Sequence, residues 1–233
     1  MWLPLENNPD VMNKYLVTLG IPEPKLQFVD VFGVTPDLLA MVPAPVHAVM
    51  LVYPICKATE NRTQELEDAQ KDEIDSFLER QHVFFTRQLI GNACGTIAIL
   101  HAVMNNLAVI GDITPDSPLF ALTEAKDLTS DSMELGVKVA RQENLEQAHQ
   151  SAAVEGVTQN QPVEANINLH FVCFICAGGR CLELDGRKDH PLLHGACNDS
   201  ASFLKAAAVA IREKMNLNPD SYEFAITALV DKR

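Results

Sequence analysis

The chain has 233 residues, 47% of them hydrophobic and 21% charged, with a formal net charge of −13 and a pI near 4.9. That length suits a single globular domain, residues 1–233, with a sizeable core. The acidity counts against a nucleic-acid or anionic-membrane surface and leaves room for attraction of a basic partner. The first residues, Met1-Trp2-Leu3-Pro4-Leu5-Glu6, form neither a basic nor an apolar leader, and the strongest apolar run, 46–55, is too short to span a bilayer and contains His47. A soluble, cytoplasmic protein is expected.

Asn8-Pro9-Asp10 pairs a capping side chain with proline at the first helical position, and Gly20 supplies a stop. This predicts a helix of about ten residues turning Val11, Tyr15, Leu16 and Leu19 inward. Residues 26–31 read as a strand, Thr35-Pro36-Asp37 opens a short helix ending before Pro43, and 46–55 reads as a buried strand. A charged, helix-favouring stretch over 62–80 follows. From Cys94 to about Asn106, apolar residues at 97, 100, 103, 104 and 107 give the repeat of a buried central helix. Residues 131–149 are more weakly helical, and 150–166, small, polar and without period, read as a long surface loop of the kind that tends to be functional. Residues 169–175 and 181–184 read as strands joined by a hairpin through Ala177-Gly178-Gly179-Arg180. Asp199 caps a helix holding Phe203, Leu204, Ala207, Ala208 and Ile211, and 222–230 closes the chain as a strand. Strands separated by helices, with one hairpin, predict an α/β (α+β) fold, a mixed sheet with helices packed on it.

Six cysteines at irregular spacings, with no secretion signal, argue for reduced thiols rather than a disulfide framework. One of them, Cys94, stands beside Gly95 at the start of the central helix. Helix-terminal amides and the macrodipole favour a thiolate there, lowering the pKa from about 8.5 to roughly 3.5–7.5. Gly95 adds so little bulk that a substrate backbone is expected to come close to the sulfur. A nucleophilic thiol needs a base, and His101, seven residues along the same helix, lies about 10 Å away by helical rise, too far for a hydrogen bond. His170 opens one hairpin strand and Asp185 closes the other. With Ala177-Gly178 as the turn centre the two face each other; with Gly178-Gly179 they are diagonal neighbours on one face. Either register lets the carboxylate orient the imidazole of a Cys-His-Asp triad. Gln88, on the segment leading into the helix, can donate to a developing oxyanion together with the Cys94 backbone N–H.

The segment with Gln88, Asn92-Ala93-Cys94-Gly95 and Ile99-Leu100-His101-Ala102-Val103 resembles the active-site signature of the ubiquitin C-terminal hydrolases, the papain-like deubiquitinases of peptidase family C12. Trp2 to Pro9, Gln27 to Gly33, Met41 to Val46, Leu169-His170-Phe171 and Leu182 to Lys188 extend the likeness to its smaller, single-domain members. The resemblance implies a papain-like cysteine protease core, a central mixed or antiparallel sheet flanked by helices, and a knotted backbone with a crossover loop near 150–166. It implies Cys94 as nucleophile, His170 as base and then acid, Asp185 as orienter and Gln88 as oxyanion donor. The implied activity is hydrolysis after the C-terminal glycine of ubiquitin, releasing small adducts or short, disordered extensions, since the loop limits the leaving group. Leu5, Glu6 and Asp30 match ubiquitin-contacting segments of the family, and Glu155 is the acid retained in the loop. Gln159 and Asn160 stand where further acids are expected, which leaves open a preference for ubiquitin or a ubiquitin-like modifier. No cofactor is implied, and a monomer is expected.

Two rivals come from other classes of function. One is a non-catalytic ubiquitin-binding protein that buffers free ubiquitin. The other is a metal site at Cys173, Cys176, Cys181, His190 and His194. Cys173 and Cys176, three apart in a strand, point to opposite faces and share an ion poorly, and a second tight cysteine pair is missing.

Overall fold

The computed structural model describes residues 1–123, 131–156 and 168–233. In chain order its elements are α1 (Pro9–Leu19), β1 (Leu26–Asp30), α2 (Pro36–Leu39), β2 (Val46–Pro54), α3 (Lys57–Leu78), α4 (Cys94–Met104), α5 (Leu107–Ile110), α6 (Pro118–Thr123), α7 (Ser132–Ala140) and α8 (Glu143–Val154). There follow β3 (Leu169–Ala177), β4 (Arg180–Leu184), β5 (Leu192–Ala196), α9 (Ser200–Leu217) and β6 (Ala225–Asp231). The strands form one six-stranded sheet in the order β1-β6-β2-β3-β4-β5, with every pairing antiparallel.

Strand alternation divides the core in two. Ala48, Met50, Val52, Phe171, Cys173 and Ile175 pack beneath α4 and α1, while Val49, Leu51, Tyr53, Val172 and Phe174 pack against Phe203, Ala207 and Ile211 of α9. Covered on both faces, β2 and β3 therefore read as continuous apolar runs. Helix α4 is buried from Gly95 through Met104, so its side chains meet protein all round and only its first residue borders the surface. The capping signals act as expected. The Asn8 side chain accepts from the Asp10 N–H at 2.9 Å, and Gly20 ends α1 in the left-handed region at φ 116°.

Several expectations are corrected. The weakly helical stretch is two helices, α7 and α8, broken at 141–142, and α8 takes in residues 150–154 of the expected loop. Residues 157–166 of that loop lie outside the described residues, and with them the crossover and its threading. The short edge strand β5 is added; its five residues carry Gly195 and no β-branched side chain, nor Phe, Tyr or Trp, to signal a strand. Cys176 and Cys197 form a disulfide, against the expectation that all six thiols are reduced. The hairpin and β5 bring their Cα atoms to 6.5 Å although 21 residues separate them, a proximity that spacing does not reveal. Cys56, Cys94, Cys173 and Cys181 are free. Among the described residues no helix is long and apolar enough to cross a membrane, and no three metal-ligating side chains cluster.

Candidate active site

The approach to α4 is held by the chain's own beginning. Trp2 donates its N–H to the Gly91 carbonyl at 2.9 Å, and the Asn92 side chain donates to the Trp2 carbonyl at 3.1 Å. Asn92 sits at φ 63°, a left-handed conformation that asparagine tolerates better than most residues. One turn is thereby fixed, and the partly buried Cys94 follows as the first residue of the helix. Burial alone would raise its pKa. The hydrogen bond and charge of His170 and the backbone N–H groups of Phe171 and Gly95 outweigh that and hold the thiol below its ordinary value. Against the expectation that Gly95 leaves room for a substrate backbone, the space beside it is filled by protein. A Cβ there would meet Leu5 at 2.9 Å and Phe171 at 3.4 Å.

The hairpin chooses between the two registers. Gly178 and Gly179 both adopt positive φ, 53° and 78°, the pattern of a two-residue turn matched to strand twist. Ala177 then pairs with Arg180 and Cys173 with Leu184, so the turn centres on Gly178-Gly179 and His170 and Asp185 are diagonal rather than directly opposed. The diagonal is short enough. His170 Nε2 and Asp185 Oδ1 are 2.7 Å apart, both side chains buried, and the Arg187 N–H donates to the same oxygen at 2.9 Å. With Nε2 committed to Asp185, Nδ1 is the nitrogen left to face the thiol.

Burial opposes charge on both partners, yet their mutual attraction wins. The charge and hydrogen bond of Asp185, reinforced by Cys94, push the His170 pKa up to about 9. His170 in turn, with the Arg187 amide, holds Asp185 at about 2. The site therefore favours a thiolate–imidazolium pair, the reactive form of a cysteine nucleophile.

Gln88 is brought to the same place by a close backbone approach. Its N–H donates to the Gly186 carbonyl at 2.7 Å, and a Cβ on Gly186 would come within 2.7 Å of Ile97 and 3.1 Å of the Gln88 Cβ. Only glycine after Asp185 lets the three segments meet. One Gln88 Nε2 hydrogen goes to the Ile90 carbonyl at 3.0 Å, leaving the second for another acceptor.

Of the four expected ubiquitin-contact residues, two, Leu5 and Glu6, lie on the N-terminal segment, and Asp30 and Glu155 stand at the ends of β1 and α8. Leu5 is buried over Gly95. Glu6 approaches Gly156, where a Cβ would meet its Oε2 at 2.6 Å. Asp30 ends β1 opposite Thr227, whose hydroxyl donates to Asn7 at 3.1 Å. Glu155, the C-cap of α8, pairs with Lys14 at 3.0 Å. Two contributors went unforeseen. Tyr53 sets its ring edge-on to His170 with centroids 6.1 Å apart, as its direct partner across β2 and β3. No local signal in the sequence aligns strands so far apart. The Arg187 amide was legible in principle, because Asp-Gly-Arg is a turn in which the aspartate accepts from the N–H two residues on.

A family model described as ubiquitin carboxyl-terminal hydrolase, family 1, matches residues 2–216. The chain belongs to this family. Among the ubiquitin carboxyl-terminal hydrolases it is 38% identical over 229 residues to hydrolase 3 of Arabidopsis thaliana, covering 98% of this chain and 93% of that one. It is 40% identical over 221 residues to that of Aplysia californica, covering 94% and 97%. Human isozyme L1 shares 33% over 227 residues, covering 97% and 96%. The fold is also that of the Trichinella spiralis UCH37 catalytic domain, solved bound to ubiquitin vinyl methyl ester. The match covers 100% of this chain and 96% of that one, with a TM-score of 0.77 at 20% identity. As a ubiquitin carboxyl-terminal hydrolase the chain is a cysteine-type deubiquitinating enzyme, the class of chemistry that its thiol, imidazole and carboxylate suit.

Proposed function

We propose that Cys94, His170, Asp185 and Gln88 perform this hydrolysis in four roles. The supporting observation is the buried His170–Asp185 contact of 2.7 Å beside a thiol whose pKa it lowers. The Cys94 thiolate attacks the carbonyl of the C-terminal glycine of ubiquitin. The Gln88 amide and the Cys94 N–H receive the oxyanion, and protonated His170 gives its proton to the leaving amine or thiol. Neutral His170 then deprotonates water, which attacks the thioester and frees the ubiquitin carboxylate and the thiol. Asp185 keeps the imidazole oriented throughout.

The substrates are small adducts and short or disordered extensions of ubiquitin, or of a ubiquitin-like modifier. Leu5, Glu6, Asp30 and Glu155 contact the modifier, the acids suiting a basic tail. The enzyme acts as one domain over 1–233, as a monomer in the cytoplasm. The test is reaction with a ubiquitin C-terminal electrophile together with hydrolysis of a fluorogenic ubiquitin amide, for ubiquitin and its nearest relative modifier. A one-to-one adduct on Cys94 is expected, and Cys94→Ala should abolish turnover while retaining ubiquitin binding. Binding without any adduct in the wild-type enzyme would return the chain to the buffering role.

A further inference from the structure

Residues 84–88 belong to no helix or strand, so no sheet ladder satisfies their backbone groups. The helix that carries Cys94, with its C-cap Asn105, supplies partners for the first half of this segment. Asn105 Oδ1 accepts from the Phe84 N–H and Asn105 Nδ2 donates to the Phe84 carbonyl, both at 2.9 Å. Two residues on, the Thr86 N–H donates to His101 Nε2 at 3.1 Å, and two further on, the Gln88 N–H reaches Gly186. The bonded N–H groups are those of alternate residues, 84, 86 and 88. Cys94, Ile97, His101 and Asn105 fall on one stripe of α4 at helical spacing. Two of them, His101 and the C-cap Asn105, thus stand in for a strand's ladder at residues 84 and 86.

His101 is the middle member of this row and is completely buried. Phe85 stacks on its ring at 5.3 Å and 18°, and Phe84 meets it edge-on at 6.3 Å. Because a main-chain N–H can only donate, Nε2 must carry a lone pair, so the ring is neutral with its proton on Nδ1. Burial favours that neutral form, lowering the pKa to about 4 against the Asp185 charge and the Leu184 backbone, and an N–H donated to Nε2 favours it as well. Without His101 the buried Thr86 N–H has no acceptor, and the segment gains by shifting toward one.

We propose that His101 is a positioning residue of the hydrolysis, its neutral imidazole fixing the register of the Gln88 segment against the helix that carries Cys94. The inference rests on the assignment of Gln88 as oxyanion donor. Displacement by about 1 Å at such a donor is enough to cost roughly 100-fold in rate.

The test compares His101→Leu, which removes the acceptor at similar bulk, with His101→Gln, whose side-chain oxygen restores one. Each is made alone and with Gln88→Ala, with ubiquitin binding confirming the fold. His101→Leu should lower kcat by about 10- to 100-fold with little change in KM, and His101→Gln should recover much of it. Gln88→Ala should lower kcat by about 100- to 1,000-fold in the parent, and far less in the His101→Leu background. A folded His101→Leu enzyme with the parent kcat, or losses that simply multiply, overturns the positioning role. If Gln88→Ala alone leaves kcat unchanged, the oxyanion assignment fails and takes the inference with it. Imidazole ¹⁵N shifts of the parent enzyme need no variant to fold. They should show His101 with its proton on Nδ1, and a proton on Nε2 overturns the inference.

Discussion

On the proposed mechanism, His170 and Asp185 set the pH window of the reaction. Attack needs Cys94 deprotonated and departure needs His170 protonated, so activity rises on the acid side as the lowered thiol pKa is passed. It falls on the alkaline side near 9, where His170 loses its proton. Burial works to remove that proton, and Asp185 is the main group holding it in place. Asp185→Asn should therefore move the alkaline limb of kcat/KM down toward the ordinary imidazole value and lower the plateau by about 100-fold, the low end of what general acid–base catalysis supplies. A limb that stays near 9 would show that another group retains the proton.

At the scale of elements, the site depends on where the β3–β4 hairpin turns. Moving the turn by one residue would change which residues oppose His170 and Asp185, and the two left-handed glycines prevent it. Gly179 offers a clean probe, since a Cβ there meets nothing nearer than 3.9 Å and only the backbone conformation resists the change. Gly179→Ala should lower the free energy of unfolding by about 1–2 kcal/mol, measured by urea denaturation, while the folded fraction keeps its turnover. An unchanged stability would mean that the turn relaxes to another geometry. This scale also explains why α8 was misjudged. His149 is one of its buried residues, bonded to the Leu3 carbonyl and to Thr96 of α4, each at 2.7 Å. Partners so distant in sequence stabilise a helix whose own apolar pattern is weak.

For the whole molecule, buried histidines pull stability in opposite directions with pH. His101 has a folded pKa near 4, so as pH falls from 6.5 the unfolded chain takes up its proton first. Stability is then lost, by roughly 3 kcal/mol by pH 4 from this group. His170 has a raised pKa, so its contribution is complete below 6.5 and is lost as pH rises through about 9. Asp185 adds its own loss only as pH falls from 3.8 through about 2. Stability should peak between about pH 6 and 7, and His101→Gln should flatten the acid side of a plot of urea midpoint against pH. An acid side as steep as the parent's would exclude His101 as its source. The net charge of −13 acts over longer distances. Association with a basic ubiquitin tail should slow as salt rises past 0.15 M, where the screening length is about 8 Å, and salt-independent rates in stopped flow would remove steering from the account.

Local chemistry was enough to read the caps at Asn8 and Asp199, the buried strand expected at 46–55, a cysteine at a helix start and the hairpin. Each depends on neighbours within about ten residues, and periodicity and turn residues report such neighbours directly. The sequence also named Cys94, His170, Asp185 and Gln88, through residue type, chain order and family resemblance, and its two possible registers both kept His170 and Asp185 on one face. Contacts across long separations decided the rest. They chose the diagonal register, joined Cys176 to Cys197, filled the space beside Gly95 with Leu5 and set Tyr53 against His170. They also gave His101, excluded by distance as a base, a main-chain N–H to hold. Such pairings depend on how sheet, helix and N-terminal segment close around a shared core, and no window along the chain contains both partners.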